Sequence, residues 1–224
     1  MIDRRTLVCL AAFAALAIAA ATAAAEEAAC LFPGKNLDGW KWFCVDDKTP
    51  VEDVWSVKDG VLVCQGQPFG YLYVDDEFQD FRLTLKWRWA PGKEPGNSGV
   101  LLRITGEPKW LPKCVEAQLK SGSAGDVWAF RGAAVDGPED RQREVRGHAE
   151  LGDFDGVARA VAAENEPGQW NEYDILVKGE KMTLTINSKV VNEVAGLDQV
   201  AGPIGLQSEG AEIHFKDVKL KPLK

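Results

Sequence analysis

The sequence predicts an all-β protein, a sandwich or jelly roll, on three observations. Phe81, Leu83, Leu85, Trp87 and Trp89 alternate with Arg82, Thr84, Lys86 and Arg88, the period-two pattern of a strand buried on one face. Short runs of this kind recur, with Gly, Pro, Asn and Asp between them. No segment sustains helical periodicity, no internal repeat is evident, and no Gly-Ser linker divides the chain.

The first 25 residues read as an export signal. Arg4 and Arg5 form a positive start, residues 7–20 are almost wholly apolar, and Ala23-Ala24-Ala25 is a small-residue cleavage site. The mature chain then begins at Glu26, and residues 26–224 form one β-rich domain. The apolar stretch is short and alanine-rich for a membrane span, so no integral membrane segment is expected after cleavage. Export implies a periplasmic or extracellular protein. A lipoprotein anchored at Cys30 is the alternative, although Glu27-Ala28-Ala29 lacks the usual aliphatic residue.

Along the mature chain, residues 54–57 and 61–65 flank Lys58-Asp59-Gly60, a hairpin signal. The strand at 81–89 leads into a loop rich in Pro, Gly and Asn at 91–99. Val100, Leu102 and Ile104 then continue the core, with Leu101 and Arg103 facing the other way. In Cys114-Val115-Glu116-Ala117-Gln118-Leu119, the apolar set is Val115, Ala117 and Leu119, while Cys114, Glu116 and Gln118 share the opposite face. Residues 121–168 read as a long loop that covers or rims a groove. Further strands follow around Tyr173, Ile175 and Val177, then Met182, Leu184 and Ile186, then Val190 and Val191, and finally at 204–207 and 213–220.

Net charge is −8, and removing the leader, with two Arg and one Asp, takes it to −9. Such a surface argues against nucleic acid and anionic membranes as partners and is compatible with a neutral carbohydrate. Cys30, Cys44, Cys64 and Cys114 remain after Cys9 is lost, an even number that suggests disulfides in an exported chain. Cys44 and Cys64 lie in neighbouring strand candidates and could pair, but spacing leaves the connectivity open. With His148 and His214 the only histidines and no Cys-x-x-Cys, a zinc site is not indicated. No cofactor is required. Asp126 and Asp153-Phe154-Asp155-Gly156 offer hard oxygen ligands for a structural Ca²⁺, although an acidic turn explains them as well.

Seven motifs in order resemble the 3-keto-disaccharide hydrolase family. They include Leu31-Phe32-Pro33-Gly34-Lys35-Asn36-Leu37-Asp38-Gly39-Trp40, Trp55-Ser56-Val57-Lys58-Asp59-Gly60-Val61-Leu62, Gly96-Asn97-Ser98-Gly99-Val100-Leu101-Leu102-Arg103 and Val115-Glu116-Ala117-Gln118-Leu119. Gly168-Gln169-Trp170-Asn171-Glu172-Tyr173, Gly202-Pro203-Ile204-Gly205-Leu206-Gln207 and the ending at 215–223 complete them. The resemblance implies a concanavalin A-like jelly-roll sandwich of two curved antiparallel sheets. It also implies action on glycosides whose ring carries a ketone at C3.

Glucanases of that fold set two acids at alternate positions of one strand. Here Gln118 and Lys120 follow Glu116 on its face, which departs from a retaining glycosidase. A 3-keto sugar needs only a base: the ketone acidifies the proton at C2, the group at C1 leaves, and water adds afterwards. Glu116 is the expected base, and Arg103 the cation that steadies an enolate or pairs with Glu116. Gln118, Asn97, Gln207 and Lys120 are candidate hydroxyl binders; Trp128 and Trp110 could stack on a sugar, and His148 could exchange a proton. Trp87 and Trp89 belong to the core by register. A non-catalytic carbohydrate-binding module and an envelope interaction domain are the rival readings.

Overall fold

The computed structural model describes residues 28–224; the expected leader and Cys9 lie outside the described residues. The first strands are β1 (Ala29–Cys30), β2 (Trp40–Cys44), β3 (Trp55–Lys58), β4 (Val61–Cys64), β5 (Gly70–Val74), β6 (Phe81–Trp89), β7 (Gly99–Thr105) and β8 (Lys113–Gln118). Then come β9 (Val127–Phe130), β10 (Gln142–His148), β11 (Gly152–Val157), β12 (Asn171–Lys178), β13 (Lys181–Ile186), β14 (Lys189–Val194), β15 (Gly205–Ser208) and β16 (Ile213–Pro222). One short helix, α1 (Val51–Val54), precedes β3.

Two antiparallel sheets of eight strands pack as a sandwich. The first has the order β14-β13-β12-β6-β16-β4-β3, with β1 against β16; the second has the order β10-β11-β9-β8-β7-β15-β5-β2. On β6, Phe81, Leu83, Leu85, Trp87 and Trp89 are 0–2% exposed, so the alternation in the sequence is the inward face of a central strand. Burying each such side chain stabilises the fold by roughly 1.5–3 kcal/mol. Their counterparts from the second sheet are Val100, Leu102, Val115, Ala117 and Leu206. The β3–β4 hairpin turns at Asp59 and Gly60, both at positive φ (49° and 78°), the conformation a two-residue hairpin needs and Gly adopts without strain.

Three expectations change. Residues 121–168 are not one loop: they hold β9, β10 and β11, which extend the second sheet to its edge. The edge strand β10 is largely exposed on both faces, so its sequence carries no alternation to read. Cys44 and Cys64 do not pair, because β2 lies at the edge of the second sheet while β4 lies inside the first; the four described cysteines are free thiols. Ile104 leaves the core because the β7–β8 register shifts between Leu102 and Thr105, with Arg103 at φ 50°. Ile104 packs instead with Tyr71, Leu101, Leu111, Cys114 and Phe130, a second apolar cluster on the outer face of the second sheet.

Candidate active site

The outer face of the second sheet carries a cleft of about 400 Å³. Strand β8 supplies its floor. Val115 and Ala117 point into the core, so Cys114, Glu116 and Gln118 face outward, as the alternation requires. Glu116 is set opposite Leu101 of β7 and Trp128 of β9. It is only 2% exposed, and its Oε1 has no hydrogen-bond partner. Its carboxyl lies over Gly99, where a β-carbon would collide with it. Burial first, and the neighbouring Glu209 second, push the Glu116 carboxyl well above the usual carboxylate range.

Glu209 follows the end of β15 and is held beside Asn97 by an isolated β-bridge. It lines the same cleft, half-buried. Burial pushes its carboxyl up to about 7, against the amides of Asn97 and Gln207 and the Lys120 ammonium, which favour its charged form. Glu116 and Glu209 thus disfavour one another's ionisation in the cleft, which Asp126 also lines. The other wall is aromatic: Trp128 meets Phe154 edge-on at 5.6 Å, and Phe154 packs on Phe130 at 4.9 Å. Trp110 and His148 complete that side. Convergent polar groups beside flat rings suit a ring that has apolar faces and hydroxyl edges.

Of the residues singled out from sequence, Glu116, Gln118, Asn97, Lys120, Trp128 and His148 meet in the cleft, with Trp110 beside them. Three of these are also tied to backbone: Asn97 Oδ1 accepts from the Ser98 N–H at 3.1 Å. Gln118 Oε1 accepts from the N–H groups of Leu119 and Lys120, both at 2.9 Å, which leaves its amide N–H groups for a ligand. His148 Nδ1 accepts from the N–H groups of Glu150 and Leu151 at 3.3 and 3.2 Å, so its ring braces the β10–β11 turn.

Arg103 and Gln207 do not line the cleft. Arg103 is buried, and its guanidinium donates to the carbonyls of Gln79, Gly179 and Asp198 and pairs with Asp80 at 3.4 Å. The bulge turns it away from Glu116 to clamp three loops, so the expected pairing of Arg103 with Glu116 is not formed. Gln207 is fully buried next to Glu209, and its amide helps to hold that carboxyl in the charged form. The acidic residues offered for calcium are used separately. Asp153 accepts from Gly147 N–H at 2.8 Å, Asp155 pairs with Arg146 at 2.6 Å, and Asp126 accepts from Arg159 N–H at 2.8 Å. Among the described residues no group of three or more His, Cys, Asp or Glu could hold a metal ion.

Sequence reasoning missed Glu209. The signal lies in the alternation, because Gly205, Gln207 and Glu209 share one parity.

The family model for the 3-keto-alpha-glucoside-1,2-lyase-like domain matches residues 27–221. The chain belongs to this family. No curated protein matches it. Among solved structures, a proposed glycosyl hydrolase from Parabacteroides distasonis ATCC 8503 has a TM-score of 0.62 at 22% identity, over 87% of this chain and 93% of that one. Carbohydrate binding module CBM66 from Bacillus subtilis has a TM-score of 0.57 at 11% identity, over 82% and 95%. A Bacillus subtilis protein with a galectin-like fold has a TM-score of 0.54 at 11% identity, over 88% and 97%. At these identities the likeness shows the fold this lyase-like domain shares with them, a jelly roll of two antiparallel sheets.

Proposed function

We propose that this lyase-like domain cleaves glycosides whose sugar ring carries a ketone at C3. One observation supports the reading most: two carboxyl groups, Glu116 and Glu209, share a cleft with an aromatic wall in a chain of this family. A carboxylate of the pair takes the proton at C2, which the neighbouring ketone has acidified. The enolate that forms then collapses, the C1–O bond breaks, and a C1=C2 double bond remains. Addition of water to that product completes a net hydrolysis. Asn97, Gln118 and Lys120 hold hydroxyls, and Trp128 presents a flat face to the ring.

The same lining supports a second reading, a carbohydrate-binding module without turnover, in keeping with the fold it shares with CBM66. We place the mature protein outside the cytoplasm, on the leader-like segment at 1–25. Turnover of a 3-keto-disaccharide beside its unoxidised parent separates the two readings. Cleavage of the keto form alone supports the elimination. Binding without cleavage of either supports the module.

A further inference from the structure

We infer that Glu209 is the base of the cleft and Glu116 its proton donor, the two acting as a carboxyl pair that carries one proton between them. The inference rests on the 3-keto-glycoside reading and divides the labour within it.

The surroundings of the two groups differ in kind. Glu116 stands between Leu101 and Trp128, 2% exposed, with Oε1 bonded to no protein group. Its backbone lies mid-strand and its carboxyl is seated over Gly99. A carboxylate there is largely stripped of water and its Oε1 has no protein donor, whereas the acid form removes the charge. Glu209 lies at a strand end, half-buried at the cleft, beside Asn97 and within the field of Lys120. These neighbours favour its anion, although burial keeps it poised at about 7, where a base is both available and strong. Two carboxyl groups sharing one cleft do not both ionise readily, so the better-stabilised one, Glu209, carries the charge.

The step balances within the pair. The Glu209 carboxylate takes the C2 proton, and the C2–H electrons form the enolate. As the enolate collapses to the C1=C2 bond, the C1–O bond breaks and its electrons leave on the glycosidic oxygen. Glu116 gives that oxygen its proton and becomes the carboxylate. Passage of one proton from Glu209 to Glu116 restores the starting state. The products are an alcohol and an unsaturated 3-keto sugar, with no external acid, base or oxidant consumed.

The test uses Glu209→Gln and Glu116→Gln with three probes. The first is a 3-keto-disaccharide, whose leaving alcohol needs a proton. The second is p-nitrophenyl 3-keto-glucoside, whose leaving group departs without one. The third is the 3-keto sugar with hydrogen in place of the glycosidic oxygen, followed by NMR for deuterium exchange at C2. Glu209→Gln is expected to lose turnover of both glycosides by about 10²–10⁴-fold and to lose the exchange. Glu116→Gln is expected to lose disaccharide turnover by a similar factor while keeping nitrophenyl release and exchange within about tenfold of wild type. Gln is the neutral isostere of the acid form, so the Glu116 variant keeps the fold. Exchange that survives in Glu209→Gln but vanishes in Glu116→Gln reverses the roles and overturns the inference, and so does a similar loss on both glycosides in Glu116→Gln. A folded wild-type protein that neither cleaves nor exchanges any probe removes the 3-keto reading itself.

Discussion

The Glu116 carboxyl occupies the space above Gly99 that a β-carbon would need. Gly99 and Gln118 are opposite one another across β7 and β8, so Glu116 reaches diagonally over the neighbouring strand. Gly99 is not at positive φ, and the reason for glycine here is steric. Gly99→Ala is therefore expected to displace Glu116 from the cleft. Unfolding in urea should show a loss of about 1–3 kcal/mol from overpacking, and turnover should fall far more than the folded fraction does.

Stability should depend on pH through the carboxyl pair. The folded-state values of Glu116 and Glu209 both lie above the usual 4.5, so between that value and the folded values the folded chain binds more protons than the unfolded one. The contribution is full below 4.5 and is lost as pH rises through about 7 for Glu209, and higher still for Glu116. Lys120, Asp126 and His148 face the same cleft and modulate the window. For Glu209 the loss is on the order of 3 kcal/mol. Urea midpoints measured from pH 5 to pH 8 should fall with pH in the wild type and fall less steeply in Glu116→Gln and in Glu209→Gln.

Arg103 should matter to stability and not to chemistry. Its guanidinium satisfies carbonyls of Gln79, Gly179 and Asp198 that converge from three segments. Arg103→Met leaves those carbonyls without their donor, at a cost of about 2–4 kcal/mol. Arg103→Lys recovers only part of it, because an ammonium lacks the planar fork. The turnover number per folded molecule should stay near wild type in both. A hundredfold fall in turnover with an unchanged urea midpoint would instead return Arg103 to the active site.

Trp128→Ala should weaken sugar binding more than it slows the chemical step. The ring forms part of the cleft wall and packs edge-on against Phe154. Losing one aromatic face is worth about 0.5–1.5 kcal/mol, so KM should rise up to about tenfold with kcat changed little.

Thiol chemistry should report the sandwich directly. In protein produced without residues 1–25, Cys30 is exposed and Cys44 partly so, whereas Cys64 and Cys114 are buried. Burial also pushes the Cys64 thiol up to about 12, which removes its nucleophilic form. An Ellman titration is expected to find two reactive thiols in the native protein and four after denaturation. Four protected thiols that appear only on reduction would restore the disulfides.

Residue order carries what is local. Alternation on 81–89 and 114–119 set which side chains enter the core, and so put Glu116 and Gln118 together on the outer face. Period two is a property of the extended backbone and needs no knowledge of the neighbours. Tertiary structure alone decided which strands became neighbours. It brought the end of β15 and Asn97 beside β8, joining Glu209 to Glu116 from 93 residues away. It also inserted the bulge that turns Arg103 from the cleft, separated Cys44 from Cys64 into different sheets, and made edge strands of residues that look like loop. Strand pairing rests on long-range hydrogen bonds and burial, and a bulge shifts parity by one residue. Neither leaves a mark in the local pattern.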